Sequence, residues 1–287
     1  MTEIKLVCAS YNREQALRNT LPNKLAISRV AELIFVLDGS TDGSKKFLEE
    51  ARLIDDRVRV IEQPNSGVQR ARNHGVQAAG KCDWILFLDD DDLVPSNFAE
   101  ELLAAAEEND AVIAGAPWLN LVGTKTDGRG FTIDVDEDQN VNLRSHPNVI
   151  TAEVIRTPFV VSCVLMRTDV ARAYSFDSTF GGNAWREETD MFLRIWSDGH
   201  TIVRTPNTYA YLDRRYPGGH SKAIIRYEYW VMRNELAFLK RHQKVLRTLQ
   251  PGWRGVYREL FVSIAPRLRN LPRLVAVRAR DLLVSRG

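Results

Sequence analysis

Through its first 116 residues the chain alternates between short apolar runs and longer segments with helical spacing. The runs are "IKLVCAS" (Ile4–Ser10), "AELIFVLDGS" (Ala31–Ser40), "RVRVIEQ" (Arg57–Gln63), "DWILFLDD" (Asp83–Asp90) and "DAVIAGAP" (Asp110–Pro117). Between them lie "NREQALRNTL", "TDGSKKFLEEAR", "SGVQRARNHGVQAAG" and "PSNFAEELLAAAEEN", each patterned as a helix. Strands alternating with helices in this way make βαβ units and a mainly parallel central sheet flanked by helices, an α/β fold. Ligands bind such sheets beyond the carboxyl ends of the strands. Two of those ends are acidic here: Asp38 after "LIFVL", and Asp89–Asp92 after "WILFL".

Four consecutive aspartates carry an electrostatic cost. Two carboxylates roughly 6 Å apart repel by about 2–3 kcal/mol at an effective dielectric near 20. In an extended segment Asp89 and Asp91 share one face, and Asp90 and Asp92 the other. Two carboxylates on one face supply half of a site for Mg²⁺ or Mn²⁺, which substrate phosphates complete. The plainer alternative is a solvated loop in which Asp92 or Ser96 caps the next helix.

Beyond residue 117 the signals thin. Trp118–Asn148 is polar and Gly-rich, strands resume at "FVVSCVLM" (Phe159–Met166), a helix spans about Trp185–Asp198, and "TIVRT" and "TYAYL" read as strands. From His220 on the pattern is helical, with Pro251, Pro266 and Pro272 expected to break it. The net charge of +2 argues against nucleic acid as a partner, but it conceals a split. Ser221–Gly287 holds 15 Lys/Arg against 4 Asp/Glu, a net of +11. Cys8, Cys82 and Cys163 are odd in number and form no C-x-x-C pair, which fits a reducing cytosol rather than a disulfide framework. No stretch approaches the roughly 18 apolar residues of a membrane span, and "MTEIKLVCAS" reads as a strand rather than a signal peptide.

Four blocks, "LVCASYNREQALRNTL", "ELIFVLDGSTDGS", "NSGVQRARNHGVQAAG" and "WILFLDDDDLVP", resemble in order and spacing those of the family 2 nucleotide-sugar glycosyltransferases. The resemblance covers about Ile4 to Ser221 and implies a Rossmann-like GT-A fold. It implies a nucleotide pocket lined by Ala9, Ser10 and Tyr11, with Asp38 bonding the base and Arg72 near the nucleotide or donor sugar. A surface ion pair to the acidic run is the alternative for Arg72. Asp91 would bind the metal, Mn²⁺ or Mg²⁺. Asp89 and Asp90 would hold the ribose and the metal's water shell, with Asp89 and Asp91 as the outer acids of a D-x-D motif.

"AWREETDMFLRIWSDGH" (Ala184–His200) resembles the family's second signature, an acidic pair followed by an acid and an arginine on a helix. Counting back from Arg194 puts Glu187 and Glu188 on the pair, with Glu188 at the catalytic-base position where the family more often has aspartate. First-turn acids suited to the helix dipole are the alternative. Trp185 is a candidate to stack on an acceptor sugar or a core aromatic. His220, in "RRYPGGHSK", is a candidate at the metal or diphosphate; His74, His146, His200 and His242 read as structural or exposed.

The resemblance implies an inverting, metal-dependent transfer from a nucleotide-sugar, with UDP the family's commonest donor base, to a glycan or lipid-linked acceptor. Two rivals stand beside it. A sugar nucleotidyltransferase needs a glycine-rich phosphate loop after the first strand, and "CASYNRE" has none. A non-catalytic nucleotide-sugar-binding scaffold has no need of both acidic signatures. The expected division is 1–220 for the transferase domain, with a nucleotide-binding half (1–116) and an acceptor half (117–220), and 221–287 for a basic helical extension. In that extension Tyr257, Leu260, Phe261, Ile264 and Leu268 recur at helical spacing among arginines. Such a helix packs its apolar stripe on the domain, forms a homo-oligomer contact, or lies on an anionic membrane surface. The expected location is cytoplasmic, peripheral to the membrane's inner face.

Overall fold

A computed structural model describes residues 2–126, 131–135, 152–212, 224–250 and 252–284 of the chain. Its first part repeats one unit, a buried strand followed by a helix that returns along the sheet: β1 (Ile4–Ser10), α1 (Glu14–Leu25), β2 (Val30–Asp38), α2 (Ser44–Arg52), β3 (Val58–Gln63), α3 (Val68–Ala78) and β4 (Trp84–Phe87). β1 pairs parallel with β2 and β4, and β2 with β3. Side chains alternate across the strand. Ile4, Leu6 and Cys8 of β1 therefore enter a core with Leu17, Leu21 and Leu48, while Val7 and Ala9 enter a second core with Ala71 and Val76 of α3. Burial on both faces is why these strands read as continuous apolar runs.

The chain continues through β5 (Asp92–Leu93), α4 (Phe98–Glu108), β6 (Ile113–Gly115), β7 (Trp118–Thr126), β8 (Phe131–Val135), β9 (Ile155–Arg156), β10 (Val164–Arg167), α5 (Thr168–Ala173), α6 (Glu187–Ser197), β11 (Ile202–Arg204) and β12 (Ala210–Leu212). The main sheet has the order β3-β2-β1-β4-β10-β6-β11-β9, and a smaller one the order β5-β12-β7-β8. The main sheet is mostly parallel, but β10 runs against β4 and β6, and β9 against β11. The β7–β8 hairpin lies in the stretch where the sequence pattern was weak. The strand expected over Phe159–Met166 is confined to its end, Val164–Met166, plus Arg167. The preceding residues cross the end of the sheet instead, where Ser162 and Cys163 hydrogen-bond to Asp89 and Asp92.

The basic extension is a hairpin of two helices, α7 (Ile224–Leu249) and α8 (Val256–Val284). Phe238, Leu239 and Leu246 of α7 bury against Phe180 and Leu193. Pro251 lies outside the described residues; Pro266 and Pro272, expected to break the helix, lie inside a continuous α8. A proline leaves the carbonyl four residues earlier without its donor. Those carbonyls belong to Val262 and Leu268, both exposed, so water can satisfy them. No helix among the described residues is long and apolar enough to cross a membrane.

Candidate active site

The site forms at the carboxyl ends of β1, β2 and β4, where the loops brace one another. Asn12, in left-handed backbone at φ 53°, accepts through Oδ1 from the N–H of Thr41 at 2.7 Å and of Asp42 at 3.3 Å. Asp42 accepts from the N–H of Glu14 at 2.9 Å and of Ser44 at 3.1 Å, serving the first turns of α1 and α2 together. Gly39 has φ +73°, and a Cβ there would lie 2.6 Å from the Asn65 nitrogen. Only glycine meets both demands.

Asp38 is 5% exposed at the end of β2. Its Oδ1 accepts from Gln63 Nε2 and from the Ser66 N–H, both at 2.8 Å, and its Oδ2 accepts from the Gly67 N–H at 2.9 Å. The carboxylate thus fixes the turn that opens α3. Beside it, Ala9 and Ser10 are buried and Tyr11 is 39% exposed.

The four aspartates do not continue an extended strand. The chain turns at Asp90–Asp91, so the expected pairing of faces does not hold. Asp89 takes Arg72 Nη2 at 2.5 Å and Ser162 Oγ at 3.3 Å. Asp90 takes Ser10 Oγ at 2.7 Å and Arg13 Nε at 3.2 Å, and Asp91 takes Arg13 Nη2 at 2.5 Å. Asp91 is thereby grouped with Asp90, not Asp89. Asp92 is fully buried; its Oδ2 accepts from the Asp89 N–H at 2.6 Å and from Cys163 Sγ at 3.0 Å. It shapes the turn from within rather than capping α4.

Arg72 of α3 joins this run to the second signature. Its Nη1 donates to Glu187 and, at 3.0 Å, to Glu188, both in the first turn of α6. Arg72 is buried, so its ion pair to the acidic run is an interior one and not the surface pair weighed for it. The two glutamates differ in access. Glu187 is 1% exposed with Oε2 lacking any partner, whereas the Glu188 side chain is 26% exposed. Asp190 points elsewhere: it accepts from Arg194 Nε at 3.0 Å, Arg241 Nη1 at 2.8 Å and His242 Nε2 at 2.8 Å, tying α6 to α7. Trp185 donates from Nε1 to Glu235 at 2.6 Å, and its ring centroid lies 5.5 Å from the Arg186 guanidinium and 5.0 Å from that of Arg267. His220 lies outside the described residues.

Crowding sets the protonation of the cluster. Burial, then Asp90, Asp92 and Asp89, push the Asp91 carboxyl up to about 8, with Arg13 opposing. Burial and Asp89 push Asp92 to about 6. Burial, with Glu188 and Asp89 nearby, holds Glu187 well above the usual carboxylate range despite Arg72. Carboxylate oxygens bearing excess negative charge suit a hard divalent cation. Among the described residues the Asp91 carboxylate is bonded to Arg13 alone, an arginine it shares with Asp90, and it fits that role. Among the described residues no three acidic, His or Cys side chains converge as a complete ligand set. Mg²⁺ is commonly held by one or two carboxylates, with substrate phosphates and water completing its shell.

The profile of the family described as glycosyl transferase family 2 matches residues 6–170. The chain belongs to this family. EpsH of Bacillus subtilis is 37% identical over 151 residues, which make up 52% of this chain and 42% of EpsH. The glycosyltransferase GlyG of Streptococcus pneumoniae is 38% identical over 90 residues, 31% of this chain and 30% of GlyG. The chain thus spans less than half the length of either relative. Among solved structures, S. aureus TarS in complex with UDP-GlcNAc superposes with a TM-score of 0.58 at 15% identity, over 86% of this chain and 74% of that one. GalNAc-T7 with UDP, GalNAc and Mn²⁺ superposes with a TM-score of 0.59 at 16% identity, over 92% and 55%. The shared architecture is the GT-A fold.

Within this family 2 site, sequence reasoning missed Arg13, the cation that bridges Asp90 and Asp91. Its one signal is position, three residues past the end of β1 and so at the same sheet end as the acids. Gln63 and Ser66, which hold Asp38, carried no pattern of their own. Nor did Ser162 and Cys163, which reach the acids only because β10 is inserted beside β4.

Proposed function

We propose that the chain is an inverting glycosyltransferase that moves a sugar from a nucleoside diphosphate to a hydroxyl acceptor. One observation carries this reading: buried Arg72 draws Asp89, at the end of β4, and the Glu187–Glu188 pair, about a hundred residues later, into a single site. A donor-binding acid run and a proton-accepting carboxylate are the two parts such a transfer requires.

Glu188 is the base. It is the accessible member of the pair, within reach of an acceptor hydroxyl whose proton it takes as the new C–O bond forms. Glu187, whose burial raises its carboxyl above the usual range, braces Arg72. Ala9, Ser10 and Tyr11 line the nucleotide pocket, and Asp38 fixes its floor through the Ser66–Gly67 turn, with Oδ2 directed to a base N–H. Asp91, with Asp89, holds Mn²⁺ or Mg²⁺, which when bound neutralises charge on the leaving diphosphate. The complexes of TarS with UDP-GlcNAc and of GalNAc-T7 with UDP and Mn²⁺ favour a UDP-sugar and a divalent cation. Attack by the acceptor on the face opposite the diphosphate inverts the anomeric carbon. Trp185, which carries the Arg186 and Arg267 guanidinium groups near its ring, borders the acceptor side.

The test is release of nucleoside diphosphate from a panel of nucleotide-sugars with Mn²⁺. Turnover of one donor supports the transferase. Dependence on pyrophosphate points to the nucleotidyltransferase, and binding without turnover to the scaffold.

A further inference from the structure

The outward face of the α7–α8 hairpin is unlike an ordinary solvated surface. The apolar stripe foreseen in α8 is divided in the fold. Ile264 is buried and Leu260 packs beneath the hairpin. Tyr257 (73% exposed), Phe261 (69%) and Leu268 (54%) point to solvent, with Val262 at 59% nearby. At 100° per residue, Tyr257, Leu268 and Phe261 fall within about 40° of one another, and Arg258 and Arg269 follow about 60–80° further round, just before Val262. α7 repeats the pattern: Ile225, Tyr229 and Met232 are exposed, and Arg226 and Arg233 flank them.

Acids are missing from that face. Among the described residues Glu228 is bonded to Arg267, Glu235 is buried against Arg186 and Trp185, and Glu259 accepts from the backbone N–H of Arg254. Exposed aromatic and aliphatic side chains mixed only with cations do not suit a second copy of the same face, which would set arginine against arginine. They do suit an apolar layer beneath a sheet of negative charge.

We propose that the outer face of α8, assisted by α7, docks on an anionic lipid bilayer. Tyr257, Phe261, Val262 and Leu268 enter the headgroup–acyl boundary, and Arg258 and Arg269 bind lipid phosphates. The hairpin lies in the interface plane, as interfacial amphipathic helices do. Each arginine near such a surface adds about 1 kcal/mol, an attraction that salt screens. This surface is separate from the acids, so docking and donor turnover are independent readouts.

The experiment is sedimentation of the full chain with phosphatidylcholine vesicles, pure or containing about 30% phosphatidylglycerol, at low and high salt. The expected result is binding to the anionic vesicles alone, weakened by salt, and about tenfold weaker for the combined variant Tyr257→Ser, Phe261→Ser, Leu268→Ser. All three side chains are more than half exposed, so the variant keeps its melting temperature and its donor hydrolysis. Arg258→Gln with Arg269→Gln is the second variant, and it lowers binding without touching apolar surface. Recovery of the wild-type chain in the supernatant at every lipid composition overturns the proposal, as does binding that neither variant changes. A concentration-dependent dimer in light scattering, dissolved by the triple variant and without vesicle binding, assigns the face to a second copy instead and also overturns it.

Discussion

Asp190 Oδ1 and His242 Nε2 lie 2.8 Å apart, both side chains buried, and join the helix of the acidic pair to the first helix of the basic extension. Burial raises the Asp190 carboxyl, but the His242 bond, Arg194 and Arg241 outweigh it and leave the group below its usual range. An acid so lowered stabilises the fold above its unfolded pKa and loses that contribution as pH falls through the folded value. Asp190→Asn should therefore cost about 2–4 kcal/mol near neutral pH, and the difference from wild type should shrink below about pH 4. Urea unfolding at several pH values measures this; a constant difference down to pH 3 would refute the assignment.

Glu188→Gln keeps the size and removes the proton acceptor. Transfer should drop by about 10²–10⁴-fold while the nucleotide-sugar still raises the melting temperature. Glu187→Gln should leave more activity, because its carboxyl is buried out of an acceptor's reach. Wild-type turnover in Glu188→Gln would hand the role to its neighbour.

Asp91 is raised from an ordinary value of 3.8 to about 8. Its contribution to stability is full below about pH 4 and lost as pH rises through 8, because the unfolded carboxyl releases its proton first. Without divalent cation, Asp91→Asn should thus become more stable than wild type as pH rises, by about 1–3 kcal/mol at pH 8. The same variant should lose the extra thermal shift that Mn²⁺ gives to bound nucleotide. Denaturation with EDTA present, set beside a thermal-shift titration with Mn²⁺, tests both halves.

Gly39→Ala places a methyl against the Asn65 backbone in a left-handed conformation. A loss of about 1–3 kcal/mol is expected, together with weaker nucleotide binding, since the turn that Asp38 holds lies beside it. Equal stability by thermal denaturation would mean that the 65–67 turn moves away at little cost.

What the sequence disclosed followed from periodicity. "IKLVCAS" is β1 residue for residue, and the first four strands and helices stand in the expected order, because β1, β2 and β4 are largely buried on both faces and only β3 is half exposed. Strand direction carries no such signal, so β10 against β4 could not be read. The acid run was legible as a site but not as a shape: the turn at Asp90–Asp91 depends on Arg13, Ser10 and Cys163, which arrive from other elements. Pro266 and Pro272 misled because a break is needed only where the freed carbonyls are buried. Spacing put Glu188 at the base position, but the difference in access between the two glutamates is not encoded there.

The insertion of β10 between β4 and β6 has a consequence for biosynthesis. β4 ends at Phe87, while its antiparallel neighbour is complete only at Arg167, 80 residues later. At about 5–20 residues per second, a ribosome takes roughly 4–16 s to make that stretch. Throughout that interval the nascent sheet ends on β4, an apolar strand with one open edge, and strand edges of this kind pair readily with other chains. A chaperone holding the emerging polypeptide would find its window there, after the acid run has left the exit tunnel and before Val164 can close the sheet.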